Sequence, residues 1–344
     1  MRSLTPSLTI GLLRPSISTT SGFNLHLSSK CLTTTAQSSD EVQDFGRYSV
    51  ILPEEPFVFG VSHITPRTVP ASIKKPPYAL PAALTAGGNL GYEHTGDGKI
   101  ALGTEEETRL RSAAGLAKRV RDFAGQLCKV GTTTNSIDAT IHEFIISNSA
   151  YPSPLLYRGF PRSCCTSINN IITHGIPDER ELEDGDIINI DITVYLDGYH
   201  GDTSQTFLVG NVDEQGQELV HMTNRALDAG IKACGPGRPF KGIGEAIYWL
   251  IKDTDFCVSP QFSGHGIGAV FHQPPWIYHD RNDEPGVMLP GHCFTIEPAL
   301  IQGRDPKGWI FPDGWTASTE NCARSAQAEH MVLITESGVE VLTS

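Results

Sequence analysis

Asp191 and Asp202 stand eleven residues apart in the segment IINIDITVYLDGYHGDTSQTF. Runs rich in Ile, Val, Thr, Tyr and Phe flank Asp197-Gly198, which reads as a two-residue turn between two strands. With Leu196 facing Tyr199 across that turn, Asp202 falls opposite Thr193 and Asp191 opposite Ser204. Side chains alternate faces along a strand, and directly opposed residues share a face. Both carboxylates therefore point to one side as diagonal neighbours, roughly 7–8 Å apart at the backbone. Like charges at that range repel, and burial strengthens the repulsion. A pair of divalent cations between them would reverse that cost.

Other residues with ligand or proton-transfer chemistry lie further along. His265 sits in SGHGIG, where the flanking glycines permit a tight turn or a close approach to a ligand. Glu297 ends an apolar run in FTIEPAL, and Glu329 opens another in SAQAEHMVLI. His174 and His272 lie in ITHGIP and VFHQPP. Taken singly, each histidine reads as well as a turn residue, and each glutamate as a solvated or arginine-paired strand end. A carboxylate just inside an apolar strand is costly to bury unless a cation meets it. Together with the aspartate pair, the set is compatible with a metal centre.

The elements that would position these groups start near Thr104. Thr104-Glu-Glu-Glu107 has the form of a capping box, and Leu110, Ala113, Ala114, Ala117, Val120 and Ala124 recur at helical spacing, with Gly131 as the stop. A second helix is expected over 136–148, with Ile137, Ile141, Phe144 and Ile145 facing inward. Strands follow over 166–173 and 186–209, helices over 214–233 and 240–252, strands over 264–269 and 293–300, and a final hairpin over 329–334 and 339–342. Helix-helix-hairpin followed by helix-helix-strands suggests two related halves around a curved, mostly antiparallel sheet. This is an α+β architecture with helices on one side.

The chain has 344 residues, 39% hydrophobic and 19% charged, with a formal net charge of −13. That excess of acid argues against nucleic acid as the main partner. No apolar run approaches a bilayer span, so no membrane partner is expected. The eight cysteines form no CxxC pair, which speaks against a zinc ribbon and for buried thiols in a reducing compartment. The first forty residues are rich in Ser and Thr, carry Arg2, Arg14 and Lys30, and hold no acid before Asp40. This is the composition of an organellar transit peptide, expected over 1–45. A Pro- and Gly-rich strap is expected over 46–100, and the main domain over 101–344.

The motifs HGIPDERELEDGDIINIDITVYLDGYHGDTSQTF, SGHGIGAVFHQPP, FTIEPAL, DGWTAST and RSAQAEHMVLIT follow one another in an order and spacing similar to those of the type 1 methionine aminopeptidases. The resemblance covers residues 70–343. It implies the pita-bread fold, a pseudo-two-fold curved antiparallel sheet with helices on its outer face. By resemblance, Asp191, Asp202, His265, Glu297 and Glu329 hold two divalent cations, with Asp202 and Glu329 bridging. Such a donor set suits Mn²⁺, Fe²⁺, Co²⁺ or Zn²⁺. The implied reaction is removal of the initiator methionine before a small residue, by metal-activated hydroxide attack on the scissile carbonyl. Glu297 would act as general base, His272 would stabilise the tetrahedral oxygen, and His174 would pass a proton to the leaving nitrogen. Tyr157, Phe160, Cys165, His174, Phe271 and Trp315 map onto the methionine pocket, together with His272. Phe160 stands where the family often has Tyr, Thr173 where it often has Cys, and Ala328 where it usually has an aromatic, which would open space behind Glu329. The implied partner is the N-terminal methionine of nascent chains, near the ribosome, met by a monomer. With no N-terminal zinc module and no helical insertion between His265 and Glu297, the chain resembles an organellar form, mitochondrial or else plastid. Two other readings share the fold: aminopeptidase P or prolidase, which usually carry a large N-terminal domain, and inactive binding modules that lack the ligands.

Overall fold

The computed structural model describes residues 44–80 and 96–344. The transit peptide expected over 1–45 therefore lies, but for its last two residues, outside the described residues, as does 81–95 of the strap.

Helix α1 (Glu105–Gly125) begins where expected, although its cap differs from the reciprocal box. The Thr104 hydroxyl accepts from the Glu106 amide at 3.2 Å, and the Glu107 carboxylate accepts from the Gly103 amide at 2.7 Å. The helix stops at Gly125, six residues before Gly131. There the chain turns at Gln126, and a Cβ at Gly125 would sit 2.4 Å from the Phe207 ring. Helix α2 (Thr134–Ser147) is capped by the Thr133 hydroxyl. The strands β1 (Tyr151–Pro152), β2 (Cys165–Ile168) and β3 (Ile171–Thr173) follow. The single strand expected over 166–173 is broken at Asn169, which has a φ of 50°. Asparagine tolerates that conformation, and its amide replaces ladder bonds lost at the break. Here Asn169 Oδ1 accepts from the Ile187 amide at 3.0 Å.

Strands β4 (Ile187–Leu196) and β5 (Tyr199–Leu208) form the expected hairpin without a bulge. Leu196 pairs with Tyr199, Thr193 with Asp202 and Asp191 with Ser204. Asp197 and Gly198 have φ of 51° and 100°, as a tight hairpin turn requires. Helix α1 packs directly on this hairpin. A Cβ at Gly201 would come within 2.4 Å of the Ala113 carbonyl, so only glycine permits the approach.

The second half opens with α3 (Glu214–Lys232), capped by Asp213, and α4 (Gly242–Ile251). Ten strands follow: β6 (Phe256–Val258), β7 (Gly264–Gly266), β8 (Gln273–Ile277), β9 (Cys293–Ile296), β10 (Ala299–Gln302), β11 (Gly308–Ile310), β12 (Ala317–Thr319), β13 (Ser325–Gln327), β14 (His330–Ile334) and β15 (Val339–Val341). The run 293–300 is thus two strands, not one. Glu297-Pro298 separates them, because proline offers no amide to the ladder. Strand β9 lies in the sheet β15-β14-β9-β7-β8, and β10 in the sheet β13-β10-β6.

Each half buries its own core. Leu116, Val120, Ile137, Ile141, Ile190 and Val194 join α1 and α2 to β4. Leu219, Leu227, Ile247, Phe294, Leu300 and Val332 join α3 and α4 to β9, β10 and β14. The halves are stitched where the Glu329 amide donates to the Ser204 carbonyl at 3.0 Å and the Thr203 hydroxyl to the Glu329 carbonyl at 2.9 Å. The strap, as far as residue 80, runs over both halves. Tyr48 donates to the Cys322 carbonyl, Gly60 to the Pro312 carbonyl, and Arg67 pairs with Asp138. It shares core rather than building its own: Ile73 and Ala79 pack with Tyr151, Leu155 and Tyr195. The cysteines among the described residues are free thiols, most of them buried. No helix among the described residues is long and apolar enough to cross a membrane.

Candidate metal centre and its pocket

A cavity of about 300 Å³ opens between the two halves, and all twelve of the expected site residues line it. At one end are the acids and His265. Strands β4 and β5 bring Asp191 and Asp202 to a single face, as the hairpin register requires. Strand β7 brings His265, and Glu297 sits at the break after β9. Glu329 stands just before β14. Ligand atoms of Asp202, His265 and Glu329 all lie within 4.8 Å of one another. His265 Nε2 is 3.6 Å from Asp202 Oδ2 and 3.7 Å from Glu297 Oε1. Its Nδ1 faces the Gly266 carbonyl at 3.2 Å. A carbonyl only accepts, so the proton belongs on Nδ1 and the Nε2 lone pair points at the acids.

Neighbours fix the acids in place. The Thr193 hydroxyl donates to Asp202 at 2.8 Å, and the Thr295 hydroxyl to Glu297 at 2.8 Å. Gln327 Nε2 donates to Glu297 Oε2 at 3.2 Å, and the Glu297 amide donates to His279 Nε2 at 2.9 Å. These bonds do not neutralise the charge. Burial pushes Asp191 up to about 7 and Glu297 up to about 8. Burial and the neighbouring acids hold Asp202 and Glu329 well above the usual carboxylate range. Burial lowers His265 to about 4, so the imidazole brings no positive charge to offset them. Four crowded carboxyls and a neutral imidazole with an aimed lone pair are what divalent cations fit.

Residues 108–336 match the model of metallopeptidase family M24. The chain belongs to that family. Over 283 residues it is 51% identical to the chloroplastic/mitochondrial methionine aminopeptidase 1D of Arabidopsis thaliana, covering 80% of this chain and 77% of that one. Over 297 residues it is 47% identical to the mitochondrial methionine aminopeptidase 1D of Homo sapiens, covering 86% and 84%. The solved methionine aminopeptidase of Rickettsia prowazekii superposes with a TM-score of 0.69 at 40% identity, covering 71% of this chain and all of that one. The fold is the pita-bread fold of the M24 enzymes, and the protein is a metallopeptidase that uses divalent metal.

The other end of this M24 cavity is aromatic. Phe160 meets the Trp315 ring edge-on at 5.1 Å, and Tyr157 packs against Phe271 at 4.8 Å and His272 at 5.0 Å. Cys165 is buried opposite Asp191, and burial beside that acid keeps its thiol protonated. His174 holds a φ of 58° with its ring edge-on to Phe262 and Trp315. A non-glycine residue in that conformation marks a position fixed by its surroundings, as happens at functional sites. Thr173 lines the cavity, whereas Ala328 lies in the core of the second half with Ala326 and does not.

Sequence reading passed over several residues that shape the site. Thr193 was within reach, because the register already placed it opposite Asp202. Gln327 ends β13 two residues before Glu329 and reaches Glu297 instead. Thr295, His279, Phe262 and Arg158 carry no local signal and are brought in by the fold.

Proposed function

We propose that this M24 enzyme removes the initiator methionine from new chains whose second residue is small. The observation that carries the reading is one cavity with four carboxyl groups and an imidazole at one end and an aromatic, thiol-lined pocket at the other. An unbranched thioether suits such a pocket, since sulfur packs well against aromatic rings. Asp191, Asp202, His265, Glu297 and Glu329 would hold two divalent cations. When bound, the cations polarise the scissile carbonyl and supply hydroxide from water at neutral pH.

The protein groups then divide the remaining work. Tyr157, Phe160, Cys165, Phe271 and Trp315 hold the methionine side chain and set the depth of the scissile bond. Glu297, held by the Thr295 hydroxyl and Gln327 Nε2, would act as the general base. His272, its ring centroid 4.1 Å from that of His265, would stabilise the oxygen on which charge develops. His174 is neutral because burial lowers it to about 4, and it can relay a proton to the leaving nitrogen. A bulky second residue would collide with the cavity rim. The substrate is the N-terminus of a nascent chain at or near the ribosome, and the enzyme acts as a monomer. The Ser- and Thr-rich basic leader and the organellar names of its relatives support a mitochondrial site of action, with the plastid as the other candidate. Release of methionine from Met-Ala-Ser, abolished by a chelator and absent with Ala-Pro substrates, tests the reading. Cleavage only before proline, or peptide binding without turnover, would overturn it.

A further inference from the structure

We propose that the N-terminal strap braces the walls of the methionine pocket from behind and that Tyr78 is a positioning residue for Tyr157 and Phe271. The proposal rests on the methionine-binding reading of the cavity. Tyr157 lies on a turn whose flanking residues, Leu156 and Arg158, have φ of 66° and 49°. Neither is glycine, so that turn is strained and needs outside packing to persist. The strap supplies it. Tyr78, in a short 3₁₀ turn (Pro77–Ala79), sets its ring edge-to-face on Tyr157 at 5.0 Å and 76°.

The contact closes a ring of five. The Tyr78 hydroxyl donates to the Ser153 carbonyl at 2.6 Å, and the Ser153 hydroxyl bonds His200 Nδ1 at 2.9 Å. His200 stacks on Phe271 at 5.1 Å and 10°, and Phe271 returns to Tyr157. Tyr157 and Phe271 line the cavity, while Tyr78 and His200 stand behind them. The strap braces the opposite wall as well. Arg67 pairs with the buried Asp138, whose other oxygen accepts from the amides of Ser163 at 2.7 Å and Cys164 at 3.2 Å, just before Cys165. The Thr68 carbonyl bonds His142 Nε2 at 3.0 Å, and His142 Nδ1 meets the Ser163 hydroxyl at 2.8 Å. Strap residues 67, 68 and 78 thus hold both sides of the pocket, and none of them reaches the acids.

The test uses the full chain loaded with Co²⁺ or Mn²⁺, with Met-Ala-Ser as substrate and free L-methionine as a product inhibitor. Tyr78→Ala should raise KM and the methionine Ki together by about fivefold, the order of one aromatic edge-to-face contact. Its kcat and metal content should stay within about twofold of the parent chain. Tyr78→Phe keeps the ring and should hold KM within about twofold. Tyr78→Leu, which fills the space without an aromatic edge, gives the same KM rise if the alanine variant proves too unstable to assay. Unchanged KM and Ki in Tyr78→Ala, an equal rise in Tyr78→Phe, or a loss confined to kcat and metal content would overturn the proposal. Failure of the parent chain to release methionine would instead overturn the proposed function, and the strap's role with it.

Discussion

Replacing Asp191 by Asn should stabilise the metal-free protein, which is the opposite of what removing a buried partner usually does. Burial holds the Asp191 carboxyl at about 7 where an ordinary aspartate titrates at 3.8. One tenfold step in proton affinity is worth about 1.4 kcal/mol, so ionising this group in place costs about 4 kcal/mol. That figure is a ceiling, because Asp191 turns part of its surface to the cavity, where water relieves some of the cost. The native state binds the proton more tightly than the unfolded chain. The associated stability is therefore complete below about pH 4 and is lost as pH rises through about 7. Asparagine has no charge to bury, and removing the Asp191 charge also relieves Asp202, which Asp191 raises. The chelator-treated Asp191→Asn protein should melt up to about 8 °C higher than the parent at pH 8, at about 2 °C per kcal/mol, with little difference near pH 4. The parent should gain stability on adding metal at pH 8, and the variant much less. Scanning calorimetry at both pH values, with and without cation, reads all of this. A metal-free variant less stable than the parent at pH 8, or equally stabilised at both pH values, would refute the uncompensated-acid account.

Three further outcomes follow from the same geometry. His265→Ala should lose bound metal and methionine release together while keeping the parent's far-ultraviolet circular dichroism; mass-spectrometric metal analysis checks the first and a peptide assay the second. Gly201→Ala drives a methyl into the α1 backbone at Ala113 and should cost about 1–3 kcal/mol in urea unfolding, with activity falling because Asp202 is the next residue. His174→Ala should lower kcat about 10²–10⁴-fold with little change in KM. Burial holds this histidine at about 4, so its own acid limb should fall near pH 4, where protonation removes the neutral ring, and not near 6.5.

Local chemistry made the aspartate pair legible, whereas the full ligand set and the methionine pocket came from the resemblance to the methionine aminopeptidases. Strand alternation and one Asp-Gly turn were enough to place Asp191 and Asp202 on a common face, and the hairpin has that register. Helical spacing located the buried residues of α1, from Leu110 to Ala124. The failures share a physical cause. Asn169 and Glu297-Pro298 break runs that read as continuous strands, because the backbone bonds lost there are replaced by partners distant in sequence, Ile187 and His279. At the end of α1, Gly125 packs its bare Cα against Phe207, some eighty positions on. The bracing of the pocket by Tyr78 and Arg67 escaped for the same reason. A proline-rich segment carries no periodicity, so only the folded chain reveals what it touches.

Anomalous diffraction from crystals grown with Mn²⁺ or Co²⁺ tests the central claim most directly. The account predicts two peaks in this cavity, both within about 2.0–2.3 Å of oxygens from Asp202 and Glu329, with Asp191 on one and His265 and Glu297 on the other. An active, metal-loaded crystal with no peak among those five side chains would contradict it.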